Sequence, residues 1–141
     1  MTARAAGGTI GAMNLPTIKI AVPVAGWATQ GQYALVEACV EAGTEIPSHV
    51  AQREDVVLHV LHGTLDVVVD RTHTRLTTGG SMSLERGTPR RITATEPSRV
   101  LALIAPAGLE QLLSVVADPS TDPDDRAALL AVGGVQQVPA A

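Results

Sequence analysis

Short apolar runs separated by turn-forming residues dominate the chain from Thr17 to Pro106. The runs are Ile18 to Val24, Tyr33 to Val40, Val56 to Leu61, Leu65 to Val69, Ser81 to Leu84, Arg91 to Thr95 and Val100 to Ala105. Between them stand Gly26, Gly31, Gly43, Pro47, Gly63, Gly79, Gly80, Gly87, Pro89 and Pro97. Runs of this length, rich in β-branched residues and broken almost regularly by Gly and Pro, predict about seven strands in a sandwich or barrel. After Pro106 the apolar spacing becomes helical: Leu109, Leu112, Leu113 and Val116 share a face, and Asp118-Pro119 ends the segment. Asp122-Pro123-Asp124-Asp125 then carries the signals of a second helix start, continued by Ala127 to Ala131 and ended by Gly133-Gly134. The pattern is therefore an all-β body with a helical tail. Met1 to Pro16, rich in Ala, Gly and Thr without a sustained period, reads as a flexible arm, or as one that crosses onto a partner subunit.

Charge and composition narrow the function. The 141 residues hold 10 Lys and Arg against 14 Asp and Glu, a formal net charge of -4, which argues against a nucleic-acid partner. One Trp and one Tyr give no stacking platform for bases. No apolar run approaches the roughly 18 to 20 residues of a membrane helix, and the N-terminus lacks the apolar core of a signal peptide, so a soluble cytoplasmic protein is expected. Cys39 is the one cysteine, which excludes an internal disulfide and zinc-type cysteine spacing. With no Phe, the interior must be filled by Val, Leu, Ile and Ala, and any cavity is expected to be lined by methyl groups.

Two stretches carry the candidate chemistry: Gly43 to Gly63, GTEIPSHVAQREDVVLHVLHG, and Gly79 to Arg91, GGSMSLERGTPRR. They resemble the paired motifs of the cupin superfamily, in particular small single-domain cupins similar to quercetin 2,3-dioxygenases. Pro47, His49, Glu54-Asp55, Val60-Leu61 and Gly63 keep the frame of the first motif, and Gly80, Gly87 and Pro89 that of the second. Pro106-Ala107-Gly108-Leu109-Glu110 resembles the PAGFE segment that opens the C-terminal helix of such proteins, and Asp124 to Val135 is similar to their closing helix. The resemblance implies a cupin double-stranded β-helix, a jelly-roll barrel with short C-terminal helices, over a single domain from 17 to 141.

The resemblance also places the usual metal ligands at His49, Ala51, Val56 and Arg90, where the family pattern has His, His, Glu and His. Ala51 and Val56 have no lone pair to donate, and the permanent charge of Arg90 repels a cation. One imidazole is too few, since protein sites of this kind use three or four ligands. His59 has the opposite strand parity to Val56, His62 sits beside the Gly63 turn, and His73 lies in the hairpin Asp70 to Thr74. The expectation is a cupin without a metal or other cofactor.

Period-two reading places Val56, Leu58 and Val60, then Arg90, Ile92 and Ala94, then His49 and Ala51 on the cavity wall. Arg90 would anchor a carboxylate, enolate or phenolate, and His49, its pKa pushed down by the cation and by burial, would give or take a proton close to neutral pH. Glu37, among apolar neighbours, is the third catalytic candidate if it projects inward. Plainer readings stand beside these. Arg90 could pair with Glu85 or Glu37, His49 could rest on a backbone carbonyl, Glu37 could face solvent or a partner subunit, Cys39 could fill a core or interface, and His59 and His62 could be surface groups. The leading expectation is a non-redox cyclase or isomerase acting on a small, largely apolar enolisable intermediate, for example in polyketide or related secondary metabolism. A non-catalytic small-molecule-binding or regulatory module is the alternative, and a metal dioxygenase with substituted ligands is the third. The apolar run from Ile18 to Val22 suits a sheet edge that pairs with a second copy, so a homodimer is expected.

Overall fold

The structure is a computed structural model that describes residues 18–118 and 120–139. Its strands are β1 (Ile18–Val24), β2 (Ala34–Val40), β3 (Glu45–Ala51), β4 (Asp55–His62), β5 (Thr64–Val69), β6 (Thr72–Thr77), β7 (Ser81–Leu84), β8 (Arg90–Ala94), β9 (Ser98–Ala105) and β10 (Val135–Gln137), and its helices are α1 (Leu109–Val116) and α2 (Pro123–Val132). The strands form two five-stranded sheets, ordered β1-β2-β9-β4-β7 and β10-β3-β8-β5-β6. Every pairing is antiparallel. This is the jelly-roll arrangement expected, and each of the seven apolar runs falls on a strand, with Tyr33 and Thr95 just outside β2 and β8. The predicted arm, Met1 to Pro16, lies outside the described residues.

Three strands carry no apolar run that marks them in the sequence. β3 opens on Glu45 and contains Pro47 and Ser48, and its register against β8 shifts between Ile46 and His49. The bulge tolerates a proline, which cannot donate to the ladder, and it lets Ile46 and His49 both line the interior although they are three residues apart. β6, THTRLT, buries Leu76 and otherwise runs along the surface. β10 corrects the expectation of a closing helix that reaches Val135. The helix stops at Val132, Gly134 takes a φ of +87°, and Val135 pairs with Ala51 on β3.

The two sheets and the helices enclose the core. One cluster joins Ile18, Val36, Ala51 and Ile104 to Leu109, Val116 and Leu130 of the helices; the other gathers Leu58, Val60, Leu65, Val67 and Leu84. The helix start signals are used as written: the Asp122 carboxylate accepts from the Asp124 N–H at 2.9 Å, and Pro123 opens α2. Buried Arg126 ties α2 to the end of α1, donating to the carbonyls of Val116 at 2.6 Å and Thr121 at 2.8 Å. None of the helices described is long and apolar enough to cross a membrane.

Candidate functional site

Between the sheets lies a cavity of about 180 Å³ whose wall, apart from Thr44, His49 and Arg90, is entirely apolar. β8 contributes Arg90, Ile92 and Ala94, β4 contributes Val56 and Leu58, and β3 contributes Ile46, His49 and Ala51. Leu109, Leu113 and Val116 of α1 and Leu130 of α2 cover it from the helical side. Val60, expected beside Leu58, is fully buried in the second cluster and is not part of the wall. Val56, Leu58, Ile92 and Ala51, predicted as pocket residues, are all brought to the cavity together with His49 and Arg90.

His49 and Arg90 are register partners on β3 and β8, so their side chains leave the same face of the sheet from adjacent strands. The Nδ1 of His49 lies 2.8 Å from the Pro47 carbonyl oxygen, to which it donates. That bond fixes the neutral tautomer, with the lone pair on Nε2. Burial lowers the imidazole pKa to about 4, with Arg90 pushing the same way and the Pro47 contact opposing. The direction is the one expected from burial and the neighbouring cation, and a value of about 4 leaves His49 an uncharged acceptor at pH 7.

Arg90 is 3% exposed. Its Nε donates to the Thr88 carbonyl at 2.9 Å and its Nη2 to the Glu85 carbonyl at 2.7 Å, which pins the guanidinium under the loop between β7 and β8. The anticipated ion pair with the Glu85 or Glu37 side chain is not formed; among the described residues the ion pairs use other arginines. Burial lowers the Arg90 pKa and Asp55 counteracts this, but the Asp55 carboxylate is itself held by Arg86 at 3.0 and 3.1 Å. Arg90 is thus a buried cation without a carboxylate partner among the described residues, a costly arrangement unless a ligand completes it.

Glu37 is not brought to this site. It lies on the outer face of its sheet and pairs with Arg99, because the neighbours that face inward on β2 are Val36 and Ala38. Cys39 is exposed. His59 lies off the cavity, its Nδ1 bonded to Ser81 Oγ at 2.6 Å, and His62 and His73 are exposed. Two buried carboxylates escaped notice as structural groups. Glu110, 2% exposed, accepts from the backbone N–H groups of Gly26 at 3.1 Å and Gly108 at 2.6 Å. Buried Glu54 has an Oε1 without a hydrogen-bond partner, and burial raises its pKa, with Glu110 adding to the rise while Arg53 and Arg86 oppose it. Neither lines the cavity. Glu110 had a signal in the stretch Pro106 to Glu110, but sequence alone did not say what its carboxylate would hold.

The residues at the four ligand positions do not fit a transition metal. Ala51 and Val56 offer methyl groups, Arg90 places a positive charge opposite His49, and His49 has one free nitrogen. Among the described residues no group of three or more His, Cys, Asp or Glu side chains is placed to hold a metal ion.

Comparison with known proteins agrees with the architecture. Residues 36–104 match the family described as Cupin domain. No curated protein matches the chain. Among solved structures, it is similar to KdgF from Halomonas sp., at 22% identity and a TM-score of 0.62 over 68% of this chain and 86% of that one. It is similar to ectoine synthase from P. lautus at 16% identity and a TM-score of 0.57, over 71% of this chain and 72% of that one. An RmlC-like cupin from Shewanella frigidimarina gives 19% identity and a TM-score of 0.56, over 65% of this chain and 78% of that one. Identities this low speak for the fold alone, and the expected likeness to quercetin 2,3-dioxygenases in particular is not shown by them. Its two antiparallel five-stranded sheets have the cupin jelly-roll fold, and the stretch from 36 to 104, just under half of the chain, matches the cupin domain itself.

Proposed function

We propose that this cupin works without a metal and catalyses a non-redox step, of the isomerase or cyclase type, on a small and largely apolar enolisable substrate. The observation that carries the reading is the buried His49–Arg90 pair at the wall of an otherwise aliphatic cavity. A fixed guanidinium in a water-poor site stabilises an enolate or other developing oxyanion, and needs no reorganisation as the charge forms. The bare Nε2 of His49 accepts a hydrogen bond from a substrate hydroxyl or receives the migrating proton. The volume of about 180 Å³ restricts the substrate to a small molecule, a tighter limit than polyketide metabolism in general imposes.

The test needs no knowledge of the natural substrate. Cyclohexanone in deuterated buffer exchanges its α-protons through the enolate, and proton NMR follows the rate. The protein is expected to accelerate this exchange above buffer, and Arg90→Ala and His49→Ala to reduce the acceleration on the order of a hundredfold. Exchange no faster than in buffer, or variants within a few-fold of the parent, would sink the proposal.

One observation favours a second reading, a binding or regulatory module. An imidazole whose pKa lies at about 4 is a weak base at neutral pH, so the same pair could hold a ligand without transforming it. Saturable binding with the ligand recovered unchanged would support that reading. As for partners, β1 is an edge strand among the described residues, which supports pairing with a second copy. A sedimenting species of twice 14.5 kDa is expected, and a monomer would contradict it.

A further inference from the structure

Resting on the reading of the cavity as the binding site, we infer that the ligand is a short aliphatic carboxylate whose carboxyl group pairs with Arg90 and whose hydrocarbon part fills the space between the sheets. The two largely buried arginines among the described residues show why. Arg126 sits at the C-terminal end of α1, where unpaired carbonyls and the helix dipole offset its charge. Arg90 is held by carbonyls of the loop between β7 and β8 instead, those of Thr88 and Glu85. It spends Nε and one Nη2 proton on two loop carbonyls, and among the described residues Nη1 donates to no protein group. An anion arriving in the cavity would supply the missing countercharge with charge-assisted hydrogen bonds. Neutral His49 presents an acceptor rather than a second cation, so the wall offers one positive charge and suits one negative charge.

The rest of the wall sets the remainder of the ligand. It contains no Phe, Tyr or Trp, so a planar ring finds no stacking partner, whereas Ile46, Val56, Leu58 and Ile92 offer branched aliphatic surface. A cavity near 150 Å³ holds benzene, so about 180 Å³ takes roughly seven to nine non-hydrogen atoms. A six-carbon acid falls in that range.

Isothermal titration of the intact protein at pH 7.5 with hexanoate, hexanamide and 1-hexanol separates charge from chain length. Hexanoate is expected to bind at least tenfold more tightly than either neutral probe, and Arg90→Met to erase that preference while hexanol still binds, which also reports that the variant is folded. Ala102→Leu, which fills the cavity from β9, is expected to abolish binding of all three. Equal affinities for acid and amide in the parent protein, or binding of none of the probes up to their solubility, would overturn the inference. So would a preference for hexanoate that survives in Ala102→Leu, because the acid would then be held elsewhere. Failure of cyclohexanone exchange alongside selective hexanoate binding would remove the catalytic proposal and leave this one standing.

Discussion

His49 and Arg90 face one another across β3 and β8, one held neutral by burial and the other held charged by its chemistry, and between them they supply most of the polarity of the cavity wall. Their asymmetry has consequences for stability as well as for ligand choice.

The first consequence is a pH dependence with a defined sign. His49 titrates at about 4 in the folded protein against an ordinary 6.5, so between those values the unfolded chain binds a proton that the folded chain refuses. Stability from this group is fully present above pH 6.5 and declines as the pH falls toward 4, by a total on the order of 3 kcal/mol. Glu54 acts in the opposite sense, since its raised pKa makes its contribution fall as the pH rises. Urea unfolding at pH 7.5 and pH 4.5 should therefore show a smaller loss toward acid for His49→Gln than for the parent. Identical slopes would contradict the assignment.

Glu110 offers a second test. Its carboxylate satisfies two backbone N–H groups, those of Gly26 and Gly108, in a buried place. Glu110→Ala leaves both donors unpaired and should destabilise the protein by about 2 to 4 kcal/mol. A Cβ at Gly26 would stand 2.5 Å from the Ala107 Cβ and 2.8 Å from Glu110 Oε2, so Gly26→Ala should cost about 1 to 3 kcal/mol. Denaturant midpoints unchanged in both variants would mean that this junction does not hold α1 in place.

For Glu37 the expected outcome is near silence. It pairs with Arg99 on an outer face, and exposed pairs contribute about 0 to 1 kcal/mol. Glu37→Gln should leave stability within that range and hexanoate binding unchanged. A large loss of binding would return Glu37 to the site.

How far the sequence could be read depended on which faces of the strands are apolar. Where one face is buried and the break is a Gly or Pro, as at Ile18–Val24 and Ser81–Leu84, strand boundaries follow directly from the runs. β3 was hidden because its bulge interrupts the period of two, so Ile46 and His49 share a face that regular parity denies them. β6 was hidden because Leu76 alone is buried. Glu37 misled for the converse reason. The outer face of its sheet is itself partly apolar, with Leu35, Leu103 and Val57 in one row, so alternation along β2 is invisible and a carboxylate on that face looks embedded. The pocket residues of β4 and β8 were legible from period two, whereas the partners of Arg90 were not, because backbone carbonyls of a loop leave no mark in the sequence.

The most direct test of the central claim is metal content. Purified protein, incubated in turn with Fe(II), Ni(II), Mn(II) and Zn(II) and then desalted, should carry well under one metal ion per chain by elemental analysis, with cavity binding of hexanoate unaffected by chelator. One ion retained per chain, and lost in His49→Ala, would contradict it.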